Sequence, residues 1–187
     1  EKLHFALGRG RQRASIGVHD LNTVAPPFRV VAVDGDRSFV PLAKEEPMSI
    51  SNILLHHPKG VDYAHLLDGM DRYPMILDNN DDVLSFPPII NGDHTTVTRA
   101  TRDFFVDVTG WDERACEAAL MLVCLQLAKR GGAVESVDIT TCTGETITMP
   151  NGAGKQHTVP EELVENLLGR SFTCLLYTSD AADEWIG

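Results

Sequence analysis

Residues 73–86 read YPMILDNNDDVLSF, and the topology of the chain hangs on this stretch. Two apolar segments, 73–78 and 83–86, flank DNNDD, a cluster of residues that favour turns. The segments are short, so they predict two antiparallel strands joined as a hairpin over the acidic turn. The next residues, PPIING (87–92), change the chemistry. Consecutive prolines cannot donate to a central ladder, so the second strand must end there or lie at an edge. Asn91-Gly92 then supplies a turn. The corner around Ser85 is therefore either a β-turn laid over the core or a stiff apolar wall built around one hydroxyl.

The flanking sequence extends the same pattern. ASIGVHDL (14–21) alternates and predicts a strand, as does FRVVAVD (28–34) after Pro26-Pro27. DFFVDVTG (103–110) predicts another, with Phe104, Val106 and Val108 on one face and Phe105, Asp107 and Thr109 on the other. AVESVDIT (133–140) and ETITMP (145–150) add two more. EKLHFAL (1–7) reads as the last turns of a helix that begins upstream. Ser49 is an N-cap for a short helix, SISNILLHH (49–57), that stops at Pro58-Lys59-Gly60.

The clearest helix follows Thr109 and Asp112, which make a start resembling a capping box. Ala115, Ala119, Leu122 and Val123 recur at helical spacing, and Cys116, Leu120 and Leu127 widen the apolar face, which predicts a largely buried helix. Lys129-Arg130 and Gly131-Gly132 end it. The fold class is α+β: a mixed or antiparallel sheet with a few packed helices, followed by the start of a second small domain. The first domain spans 1–150. PNGAGKQ (150–156) reads as a linker, and 151–173 hold that linker and the opening of the second domain, with Pro160 at the first position of a helix ending at Gly169. Residues 174–187, CLLYTSDAADEWIG, share no periodicity with what precedes them. They resemble a translated sequencing adapter and are set aside as an artefact tail.

Composition narrows the function classes. A net charge of −11 disfavours general nucleic-acid binding, because phosphate contacts need Lys and Arg. Arg9, Arg11 and Arg13 nevertheless cluster in LGRGRQR (7–13), either as a solvated basic turn or as a local phosphate contact. No run approaches the roughly 18 apolar residues of a membrane span, and no signal-peptide pattern opens the chain. Cys116, Cys124, Cys142 and Cys174 contain no CxxC pair, so they read as thiols of a reducing compartment, which points to the cytoplasm.

The histidines lack metal-ligand spacing, and no metal site is expected. His56 and His57 read as solvated ends of a short helix, His65 as a hydrogen-bonded core or pocket-rim residue, and His19 as structural. His94 lies in a loop. No serine–histidine–acid order or activated cysteine appears, so no nucleophile is assigned.

Seven blocks, taken in order, resemble the β-subunit family of phenylalanyl-tRNA synthetases in its archaeal and eukaryotic form: GRGRQRASIGVHDL (8–21), APPFRVVAVD (25–34), FVPL (39–42), YAHLLDGMDRYPMILD (63–78), VLSFPPIIN (83–91), FFVDVTGWD (104–112) and LAKRGGAVESV (127–137). The resemblance runs from residue 1 to about 173, and it implies the editing module of that subunit. Three positions match the editing pocket: Ile76 as a wall aliphatic, with Ser85 and Asp107 as polar elements. Pro87, Pro88, Asn91 and His65 are implied as pocket support, and Arg9, Arg11 and Arg13 as a contact to tRNA or another subunit. The resemblance also implies an α-subunit partner, two α with two β, and tRNA(Phe). ATP and Mg2+ serve the whole enzyme, with no cofactor in this region. Editing is needed because an apolar pocket rejects one added hydroxyl by only on the order of 100-fold. A non-catalytic scaffold or tRNA-binding module, and a free-standing domain editing in trans, are the competing readings.

Overall fold

The computed structural model describes residues 2–152 and 160–169. They fall in two compact units that divide after Pro150. In chain order the first carries α1 (Lys2–Ala6), β1 (Ser15–Asp20), β2 (Arg29–Val33), β3 (Ser38–Phe39), β4 (Met48–Ser49), α2 (Ile50–His56) and α3 (Pro58–Tyr63). It continues with β5 (Tyr73–Leu77), β6 (Val83–Phe86), β7 (Ile90–Asn91), β8 (Phe104–Thr109), α4 (Glu113–Ala128), β9 (Val137–Thr140) and β10 (Thr146–Met149).

The expected hairpin is the centre of the structure. β5 pairs with β6 in an antiparallel sheet of order β2-β5-β6-β7. Asp78 builds its turn. One carboxylate oxygen accepts from the backbone N–H of Asn80 and Asp82 at 2.8 and 3.0 Å, and the other accepts from Ala25 N–H at 3.0 Å. Asp81 takes a left-handed φ of 67° to close the loop. Ile76 faces Ser85 and Leu77 faces Val83, with an irregularity between the two pairs that leaves Leu84 as an extra residue.

One face of this sheet covers the core. Met75, Leu77, Val83 and Phe86 pack with Ile50 and Ile53 of α2. Ser49 caps α2 as expected, its hydroxyl accepting from Asn52 N–H at 3.2 Å. The helical path does not stop at Pro58, however. His57 is buried, and its Nδ1 accepts from Lys59 N–H at 3.2 Å as the N-cap of α3, so the expectation of a solvated His57 is corrected. A proline at the first position of α3 sacrifices no hydrogen bond, which is why the chain re-enters a helix there.

β1 and β8 form a separate antiparallel pair, with Gly17 opposite Asp107 and His19 opposite Phe105. α4 lies against both strands. Its N-cap is Asp112, whose carboxylate accepts from Ala115 N–H at 3.0 Å and pairs with Arg13. The expectation of a largely buried α4 is corrected: among its residues Ala115 and Ala119 are buried, while Leu122 and Leu125 are exposed. Cys116 and Cys124 are half-buried. β9 and β10 pair as a separate ribbon.

The second unit shows one described helix, α5 (Glu161–Leu168), closed by Gly169 at φ 69°. Pro160, expected at the first helical position, stands instead at the N-cap with extended backbone, and the helix begins at Glu161. The expected linker falls mostly, and the tail 174–187 wholly, outside the described residues.

Candidate functional site

The register places four side chains in one row across the central sheet: Val30 opposite Ile76, Ile76 opposite Ser85, and Ser85 opposite Asn91. Strand alternation puts this row on the face opposite Met75, Leu77 and Phe86. Ile76 and Ser85 are both buried, at 5% and 4% exposure, whereas Val30 at the sheet edge is 74% exposed. The Ser85 hydroxyl donates to Asn91 Oδ1 at 3.2 Å. Ile76, Ser85 and Asn91 are thus brought together as an aliphatic wall beside a hydroxyl–amide pair. Pro87 is buried directly after this strand, and the Pro87–Pro88 bond is cis.

Asp107 lies on the other ladder. Phe28, just before β2, meets Phe105 of β8 with ring centroids 4.3 Å apart. Phe105 alternates in phase with Asp107, so this contact brings the segment leading into β2 against the Asp107 face of β8. A second link runs through hydrogen bonds. Asp107 Oδ1 lies 2.7 Å from Nε2 of His19, whose Nδ1 lies 2.8 Å from the Thr95 hydroxyl. That hydroxyl also donates to the carbonyl of Gly92, the residue after Asn91, at 3.0 Å.

Thr95, His19 and Asp107 follow the hydroxyl–imidazole–carboxylate order of a hydrolase triad, but Thr95 is 1% exposed. A hydroxyl sealed from solvent has no access to an ester carbonyl, so the trio acts as an anchor rather than a nucleophile. The Asp107 side chain keeps 10% exposure, and Oδ2 is its oxygen without a partner among the described residues. Gly17 makes the arrangement fit: a Cβ there would stand 1.9 Å from Asp107 Oδ1 and 2.8 Å from His19 Nε2. The sequence carries a trace of this in a glycine two residues before a histidine on one strand, but their partner across the ladder is a matter of tertiary pairing.

The basic segment is not one surface patch. Arg9, Gly10 and Arg11 all have positive φ, a tight left-handed turn that sends neighbouring side chains apart. Arg9 is exposed. Arg11 turns inward: its Nη1 donates to the carbonyls of Pro88 and Ile89 at 2.7 and 2.6 Å, and its guanidinium lies 4.1 Å above the Tyr63 ring. Burial lowers its pKa from the ordinary guanidinium value. Tyr63 Oη is 3.3 Å from His4 Nε2. Burial, then the charge of Arg11, lowers the His4 pKa, which suits a neutral ring accepting that hydroxyl. Arg13 is held by Asp112.

His65 sits in a 3-10 turn (Ala64–Leu67) and is exposed, which corrects its reading as a core residue. His94 is exposed beside Thr95. Among the described residues no group of three or more His, Cys, Asp or Glu is placed to hold a metal ion.

The chain matches the B3/4 domain model over residues 2–125. It is 50% identical over 173 residues to the phenylalanine–tRNA ligase β subunit of Methanosarcina acetivorans, covering 92% of this chain and 32% of that protein. The β subunit of Archaeoglobus fulgidus is 47% identical over 173 residues, again 92% of this chain and 31% of the relative. The chain therefore spans about a third of the length of these curated relatives. Among solved structures, an N-terminal fragment of the phenylalanyl-tRNA synthetase β subunit from Pyrococcus horikoshii superposes with a TM-score of 0.88 at 33% identity, covering 92% of this chain and 50% of that one. With its fold, its ordered motifs and its matched segment in agreement, this chain belongs to the B3/4 domain family, in the form found in phenylalanine–tRNA ligase β subunits.

Proposed function

We propose that this chain hydrolyses tyrosyl esters of tRNA(Phe), the proofreading step of phenylalanine–tRNA ligase. The observation that carries the reading is the row Ile76–Ser85–Asn91, turned away from the core and linked through Phe28–Phe105 to the Asp107 face of β8. Apolar walls suit an aromatic ring, and a few converging polar groups suit its hydroxyl and ester. Ser85, Asn91 and Asp107 orient the substrate and a water, so the hydrolysis relies on positioning and electrostatics and needs no protein nucleophile.

In the same reading, the whole enzyme joins phenylalanine to tRNA(Phe) with ATP and Mg2+, pairs two β with two α subunits, and works in the cytoplasm. Arg9, the exposed member of the basic segment, is the arginine best placed to meet tRNA. The test is deacylation of tyrosyl-tRNA(Phe) by the chain and by its Asp107→Ala and Ser85→Ala variants, with folding checked by circular dichroism. Asp107→Ala loses about 10- to 100-fold, the worth of one hydrogen bond to a charged group, and Ser85→Ala about 2- to 10-fold, that of a neutral one. Full activity in a folded Asp107→Ala variant sinks the reading and favours a non-catalytic scaffold.

A further inference from the structure

We propose that His19 is the positioning residue of the Asp107 site: its Nε2–H fixes one carboxylate oxygen and so turns the other toward the ligand. The geometry stands by itself; its consequence for hydrolysis rests on the editing reading above.

His19 has 0% exposure, so its ring is locked between Thr95 and Asp107. The Thr95 hydroxyl has one proton and two neighbours, the Gly92 carbonyl and His19 Nδ1. If that proton goes to Nδ1, the ring is neutral and Nε2 carries its hydrogen. A carboxylate oxygen can only accept, so Asp107 Oδ1 is met by Nε2–H, and that bond fixes the orientation of the carboxylate. The backbone of β1 enforces the pair, because the missing side chain of Gly17 leaves the space that Oδ1 occupies.

Four aspartates on the neighbouring segments have partners of their own. Asp20 on β1 accepts from the Thr101 hydroxyl and Asn22. Asp93, beside Thr95, accepts from Ala43 N–H. Asp112, at the start of α4, is held by Arg13 and Ala115. Asp103, ahead of β8, accepts from the Asn22 amide. Glu113, Arg114, Cys116 and Glu117 lie on the first turns of α4, and His94 is exposed on the 93–95 turn. Among the described residues, His19 is the titratable side chain bonded to Asp107.

The experiment compares the 187-residue chain with its His19→Leu, His19→Gln and Gly17→Ala variants in two readouts. The first is the carboxyl 13C signal of Asp107 at pH 7, assigned with Asp107→Asn, which reports the bond from His19 Nε2–H. The second is kcat/KM for tyrosyl-tRNA(Phe) deacylation at the same pH. Removing the donor shifts the carboxyl signal and lowers kcat/KM by about 10- to 100-fold. Glutamine, which can both donate and accept, restores both readouts. Gly17→Ala, which keeps His19 but expels Oδ1, behaves like leucine. If His19→Leu does not fold, Gln against Gly17→Ala carries the same comparison. A carboxyl signal unchanged in folded His19→Leu or Gly17→Ala overturns the inference, whatever the deacylation shows. A signal that moves while the wild-type chain hydrolyses no tyrosyl ester upholds the role of His19 and overturns the editing reading instead.

Discussion

The turn that sets the register of Ile76 against Ser85 depends on one buried side chain, and replacing it gives a quantitative test. Asp78 is 1% exposed and accepts three backbone N–H bonds, from Ala25, Asn80 and Asp82. Asp78→Asn keeps one acceptor oxygen for Asn80 and Asp82 but presents an amide N–H2 to the N–H of Ala25. One bond to a charged acceptor is lost, worth about 1.5–3 kcal/mol. Asp78→Ala strips all three. Because the Asn80 and Asp82 amides lie in an exposed loop where water can replace the carboxylate, the total is about 3–5 kcal/mol rather than the full sum. In a unit of this size each kcal/mol lowers Tm by about 2–4 °C, so Asp78→Asn melts about 3–12 °C lower.

The loss also depends on pH. Burial pushes the Asp78 carboxyl up, but the bonds from Ala25, Asp82 and Asn80, with the nearby charge of His94, outweigh it and leave the folded pKa below its ordinary value. A carboxylate with a depressed folded pKa contributes stability above its unfolded pKa of about 3.9 and loses it as pH falls through the folded value. The gap between wild type and Asp78→Asn is therefore full at pH 5–7 and shrinks below pH 4. Urea denaturation of both proteins at a series of pH values measures it, and groups common to the two cancel. A gap under 0.5 kcal/mol at pH 7 refutes the argument, as does one that stays constant from pH 7 to pH 3.

Arg11→Met removes two carbonyl bonds and the stack on Tyr63, and costs about 2–4 kcal/mol by urea denaturation, with Arg11→Lys in between. A cost near zero would return Arg11 to the solvated basic turn first read from the sequence. Gly60→Ala would put a Cβ 1.7 Å from the Ile53 carbonyl oxygen, so α2 and α3 must part and stability falls by about 1–3 kcal/mol in the same assay. Burial raises the Cys116 and Cys124 thiols, with Asp112 and Glu113 adding to the effect at Cys116. Exposed Cys142 is therefore alkylated first of these three at pH 7, as peptide mapping by mass spectrometry will show.

How far the sequence could be read depended on how local each signal was. The hairpin was legible because DNNDD and its two apolar arms lie side by side in the chain. Its register was not, because the irregularity beside Ile76 shifts the pairing in a way alternation cannot reveal. The burial of α4 was overestimated, since an apolar stripe marks a face without saying how much of it is covered, and Leu122 and Leu125 remain exposed. Ser85 and Asp107 stood out through resemblance to a family, whereas His19 looked merely structural. Its significance comes from Asp107 and Thr95, which are 88 and 76 residues away. Arg11 was grouped with Arg9 and Arg13 by spacing. Three successive positive φ angles undo that grouping, and only the glycine among them advertises it.

The two faces of the β5–β6 hairpin carry a further implication for how such a protein changes over time. Met75 and Leu77 serve the core, while Ile76 between them lies beside Ser85 on the opposite face, so neighbours in the chain answer to different packing demands. A substitution at Ile76 alters that row without reopening the packing against α2. A one-residue deletion within 79–82 has no such freedom. It would slide one strand against the other and exchange the two sets wholesale. The face opposite the core can therefore vary by replacement of residues on this hairpin, but not by a change in its length.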